Sequence, residues 1–257
     1  MKFPLSDFID FLYWVKDQTE YYWQHFPVDQ PVEYGCPEWL RGAKWIGMME
    51  DEIDSVQERY SITFTPEHRE FLRVLHTIDK KAGDSEHTFI FSRNWLEDDA
   101  DIRYRLAAVN NEIREKVASN FWFNSWGSRP DDFDERMLVF DNQLKNAPKL
   151  IPVAGHRYQV ADMSLENRPV LSILGVDMVY YGSDFRYYLI NEIGQFLNIN
   201  SEDNVAEEDK DDEWLAHVRD EYKHLFEPYD KTKLPDFPFW KNFVLIDWTN
   251  WANNTHL

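Results

Sequence analysis

The stretch from Pro148 to Leu189 constrains the fold more than any other part of the chain. Four short apolar runs follow one another there: Leu150 to Val153, Tyr158 to Val160, Val170 to Ile173 and Met178 to Tyr181. Each is rich in β-branched and aromatic residues and is bounded by turn formers, the pattern of strands rather than of helices. Gly175, between Ile173 and Asp177, marks the tightest hairpin. After Tyr181 the triplet Gly182-Ser183-Asp184 ends the sheet and supplies a cap for a helix. Phe185, Tyr188, Leu189, Ile193 and Phe196 fall on one stripe of that helix. A positive φ is the expected reason for glycine at position 182. A β-meander feeding an amphipathic helix is therefore the core unit, and its sequence contains no nucleophile elbow, metal quartet or phosphate loop.

Helical patterns surround this unit. Ser6 is placed to cap a first helix with Phe8, Leu12, Val15, Thr19 and Tyr22 on one face and Phe11 beside them, ending before Pro27. Trp39, Leu40, Trp45, Ile46, Met49, Ile53 and Val56 suggest one or two helices up to about Tyr60. Thr65 then caps a helix that has Pro66 at its first position and Phe71, Leu72 and Leu75 inward. Residues 96–117 read as helical from the spacing of Ile102, Leu106, Val109, Ile113 and Val117. Pro130-Asp131-Asp132 opens another helix, with Phe133, Met137, Phe140 and Leu144 on one side, and Pro148 stops it. Between 198 and 213 eight acids face one lysine, the composition of a solvated linker. A further helix is expected to bury Trp214, Leu215, Val218, Tyr222 and Leu225 ahead of a proline-rich aromatic tail. The fold class is thus α+β, a central and mainly antiparallel sheet packed by helices.

Composition narrows the function. Forty-seven acidic residues against 27 basic ones give a net charge of −20, which repels phosphate backbones and anionic lipid. Nucleic-acid and membrane binding are poor expectations, and a basic partner is favoured. The lone cysteine, Cys36, rules out an internal disulfide framework and a thiolate cluster for zinc, which fits a reducing cytoplasm. Asp7 and Asp10 break the apolar N-terminal stretch, so it lacks the core of a signal peptide.

Several motifs carry a family resemblance. The succession LIP, HRY, then PVLSI, then YYG with Asp184, resembles the signature of the bacterial SUKH superfamily, the group of toxin-immunity proteins and yeast cell-wall-synthesis regulators. Trp45 and the segment EDEIDSVQERYSITFTPEHREFL from Glu50 to Leu72 are similar to that family's pattern of a Trp, an Ile/Glu helix, a Pro and a Phe-Leu pair. FWFNSWGSRP at 121–130 and PFWKNFV at 238–244 resemble later elements of long bacterial members. One departure is local: members with an Asn-Gly turn after the Pro helix differ from the LHTIDKKAGDSEH found here. The resemblance implies one SUKH-like domain over residues 1–257, with a helical insertion at 80–120 and an acidic linker plus helical and aromatic extension at 198–257. It also implies a cytoplasmic immunity protein, not an enzyme, that neutralises a cognate protein toxin such as a basic nuclease. The alternatives are an intracellular scaffold or regulatory module and, third, a hydrolase.

Candidate contact residues are few. Trp126, His156, Arg157, Asp177 and Asp184 are the side chains of the signature segments suited to gripping a partner, Arg157 through bidentate pairing. His156 and Arg157 equally suit bonds within the fold, to backbone carbonyls or Asp177, and the aromatics Trp122, Trp126, Tyr180 and Tyr181 equally suit the core. Glu213, His217, Asp220 and His224 share helical spacing, but polar residues opposite an apolar stripe show that spacing on any surface helix. His68 and His76 lack the arrangement of a zinc protease. No metal, cofactor or catalytic residue is expected.

Overall fold

The computed structural model describes residues 7–26, 36–80, 93–199, 218–225 and 233–248. Its centre is the expected meander: β3 (Lys149–Ala154), β4 (Arg157–Ala161), β5 (Val170–Leu174) and β6 (Asp177–Gly182) form an antiparallel sheet in that order. A two-stranded ribbon of β1 (Trp45–Ile46) and β2 (Thr77–Ile78) stands apart from it. The helices are α1 (Phe8–His25), α2 (Glu50–Tyr60), α3 (Pro66–Leu75), α4 (Asp99–Ser119), α5 (Phe133–Leu144), α6 (Phe185–Ile193) and α7 (Trp240–Val244). None of the described helices is long and apolar enough to cross a membrane.

Strand alternation sends side chains to two faces, and both are covered. Register places Ile151, Gln159 and Val170 on one face, where Ile151 and Val153 join the core built by α1, α2, α3 and α6. Tyr158, Val160, Leu171, Ile173 and Met178 occupy the other face, against residues from α4, α5 and α7. Burial on both sides explains why the strands read as nearly continuous apolar runs instead of alternating ones. Both hairpins at one end of the sheet begin with a glycine in the left-handed region, Gly155 at φ 46° and Gly175 at φ 62°. Two-residue loops joining twisted strands require that conformation.

The caps follow local chemistry. Asp7 accepts from the Ile9 amide at 2.8 Å and starts α1; the expected cap, Ser6, lies outside the described residues. Thr65 accepts from His68 N–H at 3.2 Å, with Pro66 next to it. Asp132 accepts from the Glu135 amide at 2.9 Å, and Asp184 Oδ1 accepts from the amides of Arg186 at 2.8 Å and Tyr187 at 3.2 Å. Each cap accepts from amides at a helix start that have no carbonyl partner within the helix.

Several expectations are corrected. Residues 38–60 are not one or two helices: a 3₁₀ turn at Glu38–Leu40 and strand β1 precede α2. Trp45 belongs to β1 because its indole N–H donates to Thr19 Oγ1 at 2.8 Å and its amide to Glu20 Oε1 at 2.9 Å, which pins an extended segment across α1. Tyr22 does pack, partly buried, against the first core, and Trp23, which the helical stripe left out, is fully buried beside it. Gly182 does not have a positive φ; a Cβ there would stand 2.6 Å from the Tyr188 amide nitrogen, so glycine is needed for space. Val218 and Leu225 are buried as expected, but residues 218–225 form turns and a 3₁₀ segment at Lys223–Leu225 in place of a helix. Trp214 and Leu215, like the acidic run from Glu202 to Glu213, lie outside the described residues. From the segment read as a helical insertion, α4 contributes Val109, Ile113 and Val117 to the core over the second sheet face, which leaves that reading as it stood.

Candidate functional site

The sheet separates the candidate residues into two groups. His156, Arg157 and Asp177 sit at the hairpin end, whereas Asp184 follows β6 at the opposite end. Five to six strand residues set these ends apart by on the order of 15 Å.

At the hairpin end Arg157 is committed to the fold. Its Nε donates to Glu192 Oε2 at 2.9 Å, its Nη1 donates to Ser172 Oγ at 2.8 Å, and its guanidinium lies 3.9 Å from the Tyr181 ring centroid. The expected partner Asp177 is not among these; it stays exposed at the start of β6. His156 Nε2 contacts Arg157 Nη1, and burial followed by that guanidinium lowers its pKa. Trp126 is buried in the second core, stacked on Phe239 with centroids 5.9 Å apart and edge-on to Trp122 at 5.3 Å.

Asp184 opens onto a different landscape. The N-terminal ends of α1, α3 and α6 converge there with the β4–β5 connector around a cleft of about 360 Å³. Asp7, Glu67, Glu70, Glu166 and Asp184 line it, against Arg168 and Arg186. A second hollow of about 430 Å³ shares Ile9 and Glu70 with the first and adds Tyr13, Met49, Glu50 and Arg73. The two make one groove. Ile9, Tyr13 and Met49 are 40%, 52% and 63% exposed, so acids and apolar side chains are offered together.

A buried polar chain holds the groove floor. Gln159, on β4, accepts from Thr65 Oγ1 at 2.9 Å and from His68 Nδ1 at 3.1 Å, while its amide nitrogen donates to Glu67 Oε1 at 3.1 Å. Because a carboxylate accepts only, Glu67 fixes the Gln159 amide orientation, and that in turn puts the imidazole proton of His68 on Nδ1. Glu67 also takes a bidentate pair from Arg168 Nη1, 3.0 Å to each oxygen, and Arg168 Nε clips the connector through the Asp162 carbonyl at 2.9 Å. Burial holds the His68 pKa down at about 3, against the opposing pull of Gln159. His76 is likewise lowered by burial to about 4 and accepts the Trp95 amide proton at 2.8 Å on Nε2. Cys36 is buried, and burial pushes its thiol up to about 11.

Sequence reasoning passed over Glu67, Gln159 and Arg168. A polar residue inside a strand flanked by Tyr158 and Val160 is the signal that could have found Gln159, since a buried amide demands partners. Among the described residues no group of three His, Cys, Asp or Glu side chains is arranged to hold a metal ion; Glu213 and His217 fall outside them. Comparison with protein-family models matches no family, and comparisons with curated proteins and with solved structures find no match.

Proposed function

We propose that this chain is a non-catalytic binding protein of the immunity type, which captures a basic protein toxin and covers its working surface. The observation that carries the reading is the groove beside Asp184, where carboxylates from three helix starts surround exposed Ile9, Tyr13 and Met49. Apolar side chains inside an acidic frame match a partner that presents lysines and arginines around an apolar patch, the surface of an enzyme that handles phosphates. The Glu67 network holds the groove in shape before anything binds, which lowers the ordering cost of association. The order of SUKH-like motifs along the chain supports the finer assignment, and a buried, raised-pKa cysteine suits a reducing cytoplasm.

The test is growth protection. The protein encoded by the adjacent gene is expressed alone, with this chain, and with its Glu70→Lys/Glu166→Lys variant. Both carboxylates sit at the groove and neither caps a helix. Protection by the native chain, lost in the variant while its thermal melt is unchanged, is the expected outcome. An adjacent product that is harmless, or equal protection by both forms, overturns the proposal.

A further inference from the structure

Against a net charge of −20, one cleft has the opposite sign. It measures about 380 Å³ and lies along the edge strand β3, between the end of α2, the middle of α4, the end of α5 and Trp240 of α7. Its charged lining is Arg105, Lys145 and Lys149, and among the described residues no carboxylate lines it. Leu106, Val109, Leu144, Leu150, Ile151 and Trp240 form apolar walls.

The fold neutralises these cations only in part. Lys149 Nζ donates to the Ser61 carbonyl at 3.2 Å and so answers the C-terminal end of α2. Lys145 stands at the C-terminus of α5. Two helix ends carry about half a negative charge each, which leaves an excess from three unit cations. Asp101 lies 3.5 Å from Arg105 Nε but is also held by Arg93. Tyr158 and Asn110 add polar groups to the lining.

We infer that this cleft is a binding site for a small amphipathic organic anion, a carboxylate- or phosphate-headed molecule whose apolar body lies against Leu106, Leu150 and Trp240. The inference is independent of the groove beside Asp184 and stands whether or not that groove binds a toxin.

Calorimetric titration of the full chain with decanoate tests it, with acetate and decyltrimethylammonium as comparison ligands. Decanoate is expected to saturate at one per chain, with acetate at least tenfold weaker and the cation failing to compete. Lys145→Glu/Lys149→Glu, two exposed positions, is expected to weaken decanoate at least tenfold. Lys116→Glu/Lys223→Glu adds the same charge away from the cleft and is expected to leave it within twofold. Leu106→Trp, which fills the cleft, is expected to abolish binding. No saturable decanoate binding, or equal losses in the two charge-reversed variants at unchanged melting temperature, overturns the site.

Discussion

Two glycines are held by space and not by conformation. A Cβ at Gly47 would lie 1.9 Å from the Arg73 carbonyl oxygen, and one at Gly182 would lie 2.6 Å from the Tyr188 nitrogen; both obstacles are backbone. Gly194 is different: its φ is −53° and the nearest atom to a Cβ is 3.7 Å away. Gly47→Ala and Gly182→Ala should therefore each cost about 1–3 kcal/mol or more in urea unfolding. Gly194→Ala should be neutral or stabilising by roughly 0.5 kcal/mol. Equal midpoints for all three would refute the packing seen at Gly47 and Gly182. The need for a glycine at 182 was legible in its sequence neighbourhood; the reason was not, because the approaching atom belongs to the next helix.

Among the elements, α3 couples folding to acid. His68 lies inside it and His76 is its C-cap, and burial keeps both neutral, with pKa about 3 and about 4. An unfolded histidine titrates near 6.5, so below that pH the unfolded state binds more protons. The stability these residues contribute is present above about pH 6.5 and is lost as pH falls toward 4. Each full unit of difference is worth about 1.4 kcal/mol per histidine. Chemical unfolding at pH 7 and pH 4.5 should thus show a loss on the order of 4 kcal/mol, reduced by about half in His76→Gln. An acid limb unchanged in that variant counts against the buried neutral state. Elements with local causes were readable from sequence: Thr65 and Asp184 as caps, and all four strands of the meander; α5 was readable too, although it starts at Phe133 after the Asp132 cap and not at Pro130. Those made by distant contacts were not, such as β1, whose two residues are extended because Thr19 and Glu20 hold Trp45. The groove was readable only through Asp184, since Gln159 meets Thr65 and His68 from more than ninety positions away.

For the whole molecule, the net charge of −20 bears on the proposed capture of a basic partner. If capture is electrostatically steered, the association rate with the adjacent-gene product should fall at least tenfold between about 0.05 and 0.5 M salt, because the screening length is about 10 Å at 0.1 M and shrinks to about 3 Å at 1 M. Dissociation should change far less. Stopped-flow association that ignores salt would leave the acidic surface without a part in recognition.

The bond between the Trp240 indole and the Pro148 carbonyl joins positions 92 residues apart. Translation at about 5–20 residues per second puts on the order of 3–12 s between finishing the meander at Gly182 and reaching Trp240 in the helix that lies over it. Throughout that interval Tyr180, Met178 and their neighbours on the second face lack Phe237, Trp240 and Phe243. A nascent chain at this stage presents a tacky sheet, and a premature stop before position 237 would fix it there permanently. Quality control in the producing cell thus has one late, well-defined segment whose arrival separates a clumping-prone product from a finished one.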